Sequence, residues 1–483
     1  MKGLFIDGKW SPTPARYAVP NPATEEIFAE APDGTVADLK RAIAAARRAF
    51  DDGPWRRTTA GDRAQILSRI ADGIETRKDE FRSLLIGAGG ATQVSFVNQL
   101  DAPIEQLRAC AQLATSFEFE LKLPSVTQQT RSGKREIHSL AVRHPVGVCG
   151  LIPTWNFPLY VTLQKVGPAL LAGCTMVVKP SPWGPLVDLL LAEVVDSCDL
   201  PPGVFNVVTG QDPALGAELC ESALVDKVSF TGSVATGKKI MQSCAQTLKR
   251  VHLELGGKSA LLILDDAELD EQIPAIASPA YFHAGQGCAM RTRVLVSRKR
   301  HDEVVAKMSG FVGKYIKVGN PADPQIMMGP LIREERRRAV EGFVTSGVEE
   351  GAKLIVGGKR PKDLAKGFFL EPTIFAEVKN DMRIAREEIF GPVVCVLPYE
   401  NEADAIRMAN DSRFGLAGGI VTKDIGRAVE IAKQIRTGGV SVNGASNSLV
   451  TPFGGMKESG IGREGGAFGV EEFTELQSIS WPS

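Results

Sequence analysis

Residues Pro145–Val178 read PVGVCGLIPTWNFPLYVTLQKVGPALLAGCTMVV. Two periodicities alternate within them. Val146–Ile152 is a short apolar run flanked by prolines, Leu159–Leu171 has helical spacing, and Thr175–Val178 is extended again. No charge occurs from Pro145 to Gln164, but Gly147, Gly150, Pro153, Asn156 and Pro158 would break a lipid-spanning helix. The stretch therefore reads as a buried strand and loop.

The alternation continues towards the C-terminus. A helix over Pro185–Val195 puts Leu186, Val187, Leu190, Leu191 and Val194 on one face; a strand at Phe205–Val208, a helix near Ala214–Cys220, a strand at Val228–Thr231 and a helix from Ser233 follow. Such a pattern predicts a mostly parallel sheet covered by helices on both faces. Open sheets of this kind bind ligands at the carboxyl ends of their strands. A second alternating stretch runs through a strand at Val393–Leu397, a helix at Ala403–Ala409, a strand at Gly419–Thr422, a helix at Ile425–Ile435 and a strand at Val440–Val442. Two α/β units thus share the chain.

Upstream, Thr35 precedes a helical face of Leu39, Ala42, Ile43, Ala46 and Phe50, and Ile66, Leu67, Ile70, Ala71 and Ile74 repeat that spacing. The first hundred residues read as mostly helical. Glu136–Arg143 alternates by two after a turn at Ser132-Gly133, which predicts an exposed hairpin arm in need of a partner.

Composition narrows the function. With 483 residues, 43% hydrophobic and 23% charged, the chain can bury a large core in about three structural units. Lys and Arg number 56 against 57 Asp and Glu, so no global field favours nucleic acid or an anionic membrane. The eight cysteines form no CxxC pair, so no zinc or iron–sulfur site is expected, and their density is too low for a disulfide scaffold. Met1–Gly8 meets an acid before any apolar run forms, which argues against a secretory signal and for a cytoplasmic protein.

Four segments carry candidate chemistry. Phe230–Lys239 lies at a strand-to-helix junction, where free backbone N–H groups and the helix dipole hold phosphate. It has the glycine spacing of a P-loop at Gly232 and Gly237, followed by Lys238, but Lys239 replaces the magnesium-binding hydroxyl. A glycine-assisted turn without ligand is the alternative. Cys288 follows Gly285-Gln286-Gly287, whose glycines permit close approach, and a nucleophilic thiol there needs a nearby carboxylate or imidazole. Glu254, in Leu253–Ser259, is a carboxylate at the end of an apolar strand, which is unfavourable unless paired or used. An ion pair with Lys258 is its alternative, and His283 ranks below it as a base. Asn156, between Pro153 and Pro158, offers a rigid amide donor to a developing oxyanion, or a turn residue bonding its own backbone.

Together these segments resemble the aldehyde dehydrogenase superfamily, in order and spacing and over essentially the whole chain. Glu387–Pro392 and Pro452–Gly460 add further matches. The resemblance implies an α/β fold of two doubly wound open-sheet units, a Rossmann-like cofactor domain and a catalytic domain, plus a small β oligomerisation arm. The expected boundaries are 1–121 and 146–256 for the dinucleotide-binding domain, 257–463 for the catalytic domain, and 122–145 with 464–483 for the arm.

The resemblance also implies roles. Cys288 attacks an aldehyde, the Asn156 amide and the Cys288 N–H hold the oxyanion, hydride passes to a nicotinamide, and Glu254 activates the water that hydrolyses the thioester. Lys165 and Glu464 match positions of a proton relay, with a surface ion pair as the alternative. The dinucleotide contacts it implies are Ile152, Pro153, Trp155, Lys179, Ser181, Gly216, Phe230, Gly232, Ser233, Leu255, Glu388 and Phe390. Tyr160, Val161, Gln164, Ala289 and Asn447 line a tunnel for medium-sized aldehydes, aromatic ones included. The expected partner is a small aldehyde, with neither nucleic acid nor membrane, in a homodimer or homotetramer. No metal is expected.

Three positions depart from the family pattern. Pro182 replaces an acid that bonds ribose hydroxyls, which leaves NADP possible beside the expected NAD. Asp212 stands where many relatives have glycine, and His283 where asparagine is frequent. Three other readings compete: a CoA-acylating relative, in which a thiol replaces water; a P-loop phosphotransferase, which leaves Cys288, Glu254 and Asn156 unexplained; and a non-catalytic descendant that keeps the fold, against which the three occupied catalytic positions argue.

Overall fold

The computed structural model describes residues 2–445 and 448–483. Asn447 lies outside the described residues. The alternating run forms the middle of an eight-stranded sheet, in which Phe205–Val207, Thr175–Val178, Val148–Ile152, Lys227–Thr231 and Arg250–Glu254 lie side by side and parallel. Val148–Leu151 and Thr175–Val178 are buried on both faces, and so they read as unbroken apolar runs rather than alternating ones.

The chain moves outward from Val148–Ile152 to Phe205–Val207, then returns to pair Lys227–Thr231 on the opposite side of Val148–Ile152. Direction therefore reverses beside the first strand of the run. The loop Pro153–Phe157 and the turn Gly232-Ser233 both leave the sheet at that reversal, where doubly wound sheets open a ligand crevice. The helix that follows, Pro158–Ala172, starts on proline, ends at Gly173 (φ 94) and is buried on every side except at Tyr160. A helix enclosed this completely is part of the core.

A second sheet has seven strands in the order Lys353–Val356, Thr373–Ala376, Val393–Tyr399, Arg293–Ser297, Ala260–Ile263, Ala417–Val421 and Gly439–Val442. All pairs are parallel except the Lys353–Val356 edge. Gly460–Ile461 joins the first sheet by pairing antiparallel with Leu253 and Glu254, tying the C-terminal region to the strand that bears Glu254. The expected hairpin is present as Glu120–Thr130 and Gly133–Pro145, and Thr474–Pro482 completes a three-stranded antiparallel sheet. Leu121, Val126, Leu476, Ile479 and Trp481 are exposed on it.

One expectation holds with an addition and another needs correction. Helices dominate the first hundred residues, as Val36–Asp51, Ala60–Thr76 and Lys78–Gly89, but four short strands, Leu4–Ile6, Lys9–Ser11, Arg16–Pro20 and Ile27–Pro32, precede the first of them, which Thr35 caps as expected. Three-residue strands are too short for a period to show, although Asp7 (φ 55) and Gly8 (φ 69) form the left-handed two-residue turn that suits a hairpin. The helix from Ile425 ends at Ala432 rather than Ile435, because the next residues close tighter i to i+3 bonds, Gln434 N to Ile431 O and Ile435 N to Ala432 O.

Candidate active site

Cys288 is delivered by a distorted turn. His283 (φ 48), Ala284 (φ 53) and Gly285 (φ 72) are consecutive left-handed residues, a conformation that non-glycine residues adopt only at some expense in energy. A Cβ at Gly285 would overlap the Gly391 carbonyl, so the Cys288 segment and the Glu387–Pro392 segment meet backbone to backbone. Leu255-Gly256-Gly257 fills the space on another side. A Cβ at Gly257 would lie 2.7 Å from the Cys288 carbonyl oxygen, one at Gly256 would overlap Glu388 Oε2, and Gly257 N donates to Glu388 Oε1 at 3.1 Å. The two glycines after Glu254 thus let one backbone touch both Cys288 and Glu388.

Asn156 is 3% exposed. One hydrogen of Nδ2 goes to the Gln286 carbonyl at 2.8 Å, which leaves the other free to donate and anchors the amide two residues from Cys288. Gln286 is itself fixed, donating to the His283 carbonyl at 3.0 Å and accepting from Ile332 N at 2.9 Å. Asn156 is therefore not a turn residue bonding its own backbone.

Glu254 ends the strand Arg250–Glu254, and neither carboxylate oxygen has a hydrogen-bond partner among the described residues. The alternative pair with Lys258 does not form: Lys258 Nζ is buried and also lacks a partner among the described residues. A Cβ at Gly454 (φ 152) would lie 2.7 Å from Glu254 Oε1, so glycine there keeps the carboxylate open. Burial first, and then the Glu464 carboxylate, push the Glu254 carboxyl well above its ordinary range. Lys165 Nζ donates to Glu464 Oε1 at 2.6 Å with side chains 0% and 5% exposed, so the pair is buried, not on the surface.

Cys288, Asn156, Glu254 and Glu464 meet at a cavity of about 760 Å³. Trp155, Asn156, Gly232, Ser233, Glu254, Leu255, Cys288, Glu388, Phe390 and Glu464 line it, as do Tyr160, Val161, Gln164 and Ala289. Ile152, Pro153, Lys165, Lys179, Ser181, Gly216 and Phe230 do not. Ile152 and Phe230 are register partners at adjacent strand ends, and the Phe230 ring lies under Gly232. Lys165 stands behind Glu464, Lys179 and Ser181 follow the strand Thr175–Val178, and Gly216 is within the helix Ala214–Glu221.

Burial, followed by Glu254 and Glu388, pushes the Cys288 thiol up to about 12. Burial likewise pushes Glu388 up to about 7, against the Gly257 N–H and Arg336. Ser233 caps the helix Val234–Cys244 and itself lines the cavity, and the Trp155 and Phe390 rings meet edge to face at 5.6 Å. Lys238 points elsewhere, pairing with Glu458 at 2.9 Å, which removes the P-loop reading.

Two site residues were missed in the sequence. Arg336 lines the cavity and donates to the Ile389 carbonyl at 2.7 Å, but it lies on a distant helix with no motif around it. His252 lies two residues before Glu254, where strand alternation puts both on one sheet face; that spacing was a usable signal.

The sequence model of the aldehyde dehydrogenase family matches residues 10–479. A 3-succinoylsemialdehyde-pyridine dehydrogenase of a Pseudomonas species is 43% identical over 481 residues, 99% of this chain and 98% of that protein. Among solved structures, an aldehyde dehydrogenase of Mycobacterium tuberculosis complexed with NAD+ superposes with a TM-score of 0.93 at 42% identity, covering 99% of this chain and 97% of the other. A mutant aldehyde dehydrogenase C from Pseudomonas syringae, complexed with NAD+ and octanal, gives 0.93 at 40% identity, covering 99% and 96%. The fold and site define an α/β oxidoreductase with a cysteine nucleophile. The chain belongs to the aldehyde dehydrogenase family, whose reaction is the nicotinamide-dependent oxidation of an aldehyde to a carboxylate.

Proposed function

We propose that this chain oxidises medium-sized aldehydes, aromatic ones included, to carboxylates with NAD+ through a thioester on Cys288. One observation carries the reading: the Cys288 thiol, the Asn156 amide and the unpartnered Glu254 carboxylate open into one cavity whose rim is a helix N-terminus beside Glu388. The residues fit a dinucleotide. Gly232 and Gly256 line the cavity and let the Phe230 ring and the Glu388 carboxylate pack against the backbone, Ser233 at the helix N-terminus suits a pyrophosphate, and Glu388, pinned by Gly257, suits ribose hydroxyls. When bound, NAD+ supplies the hydride acceptor.

The chain's own groups do the rest. At rest the thiol holds its proton, so attack waits on loss of that proton to solvent. As the sulfur–carbon bond forms, the carbonyl oxygen becomes an oxyanion beside the free N–H of Asn156; removing one such donor lowers the rate about 10²–10³-fold. Loss of the hydride, with its electron pair, leaves a thioester. Water then attacks, Glu254 takes its proton, and the carbon–sulfur bond breaks to return the thiolate.

NAD+ is preferred over NADP+ because Asp212 and Asp33, which act on the Lys179 ammonium, would repel a 2′-phosphate. Tyr160, Val161, Gln164 and Ala289, together with Phe157 and Phe282, suit an aliphatic or aryl chain; the relative named for 3-succinoylsemialdehyde-pyridine and the octanal complex of another relative agree with such a pocket. We assign residues 1–121 and 146–256 to dinucleotide binding, 257–463 to catalysis, and 122–145 with 464–483 to an arm that builds a homodimer or homotetramer in the cytoplasm. The test is a panel of aldehydes with both dinucleotides. Cys288→Ala should bind NAD+ but reduce none; near-parental turnover in that variant refutes the assignment, and a CoA thioester as product supports the acylating alternative.

A further inference from the structure

His252 is fully buried, yet its imidazole stands between two carboxylates. Nε2 is 3.7 Å from Glu254 Oε1 and has no hydrogen-bond partner among the described residues; Nδ1 is 3.0 Å from Ser229 Oγ and 3.8 Å from Glu464 Oε1. The placement follows from register. Ser229 pairs with His252 and Thr231 with Glu254 across neighbouring parallel strands, so all four side chains share one face of the sheet. Space has been left for the ring. A Cβ at Gly462 (φ 93) would overlap His252 Cδ2, and Gly454 keeps the Glu254 carboxylate clear. Two left-handed glycines thus frame an imidazole and a carboxylate that face each other with unused hydrogen-bonding capacity.

We propose that His252 is a positioning residue for the deacylating base: its Nε2–H donates to the Glu254 carboxylate while Nδ1 accepts from the Ser229 hydroxyl, which keeps Glu254 aimed and ionised. The inference rests on the reading of Glu254 given above. The tautomer is assigned from the partners, since a hydroxyl can donate to Nδ1 and a carboxylate beside Nε2 calls for a donor. The separation of 3.7 Å is a pre-contact that a small rotation of Glu254 closes, as base contacts do when a site fills. A neutral imidazole suits the task. Burial, with Lys165, Lys227 and Arg463 nearby, holds His252 well below its ordinary value, so it donates without adding charge. The other groups facing Glu254 oppose one another: Glu464 and Glu472 favour its protonated form, Lys165 and Arg463 its ionised form.

The test reads acyl-enzyme decay against pH, by acid quench and intact mass, beside the nicotinamide burst at the same pH values. Decay requires ionised Glu254, so losing the donor should move the acid limb to higher pH. In His252→Leu the limb should rise by about one pH unit, a roughly tenfold slower decay below it, because a charge-assisted hydrogen bond is worth about that much. The alkaline plateau and the burst should be retained, and His252→Gln, which keeps an N–H donor, should restore the limb. An unmoved limb in a folded His252→Leu enzyme overturns the proposal, as does an equal loss of burst and decay at every pH. If the leucine variant fails to fold, Ser229→Ala replaces it and must move the limb in the same direction; an unmoved limb there is equally fatal. Glu254→Gln separates the two ideas. If it hydrolyses its thioester normally, the reading of Glu254 fails, whereas a stalled Glu254→Gln beside an unmoved His252→Leu limb rejects only the role of His252.

Discussion

Replacing Lys165 by methionine should be among the most destabilising single changes in the core helix Pro158–Ala172. The ammonium donates to Glu464 Oε1 at 2.6 Å, and Lys165 is the only side chain hydrogen-bonded to Glu464 among the described residues. At that separation the attraction is about 6 kcal/mol at an effective dielectric constant of about 20. Desolvating the two ions opposes it by several kcal/mol each, so the pair is close to neutral overall. The single variant escapes that balance, because it removes the attraction and leaves the carboxylate buried. Lys165→Met should therefore lose about 3–5 kcal/mol of unfolding free energy, while Lys165→Met with Glu464→Leu should recover most of it. Denaturant unfolding of the parent, both singles and the double, at one protein concentration, gives the coupling. The reasoning is refuted if Lys165→Met is within about 1 kcal/mol of the parent, or if the double is no more stable than the lysine single.

Two further outcomes follow from titration. Glu388 sits near 7 because burial outweighs its contacts with the Gly257 N–H and Arg336, so NAD+ should bind more tightly as pH rises through about 7 and the carboxylate ionises; calorimetry of Glu388→Gln should give an affinity without that step, and an unchanged step would rule the residue out. His283, with neither ring nitrogen partnered among the described residues, is pushed by burial from 6.5 to about 4. A depressed histidine gives stability that is complete above the unfolded value and lost as pH falls from 6.5 towards 4, up to about 3 kcal/mol. His283→Asn accepts the left-handed backbone and cannot charge in this range, so it should flatten the loss; parallel loss in parent and variant would contradict the account.

The central sheet was legible because parallel strands buried on both faces read as apolar blocks between Gly and Pro, with helical periods between them. Arg293–Ser297 carries no such signal: its first residue is a charged arginine that is buried because the Lys258, Met408 and Ala409 carbonyls and Asn380 Oδ1 accept from it, contacts no local pattern predicts. The strands Leu4–Ile6 and Lys9–Ser11 were too short to display a period. In the site, Cys288, Glu254 and Asn156 could be singled out because each sits among glycines or prolines that only close backbone approaches require. Arg336 and His252 lack that punctuation. That Lys179, Ser181 and Gly216 do not line the cavity was likewise invisible, since a family match gives order along the chain and not which surface lines a pocket.

The eight cysteines explain what sets Cys288 apart. Cys110 and Cys288 are both pushed up to about 12, but for different reasons. For Cys110 burial is the only cause. Cys288 opens onto the cavity, and two carboxylates, Glu254 and Glu388, add to the burial that holds its proton. Those contributions are reversible: protonating Glu254, or bringing positive charge between the two acids, lowers the thiol's proton affinity without moving the backbone. Since the thiolate is the reactive form, negative charge beside the thiol favours its unreactive form. The two acids proposed for binding and hydrolysis thus also restrain the thiol.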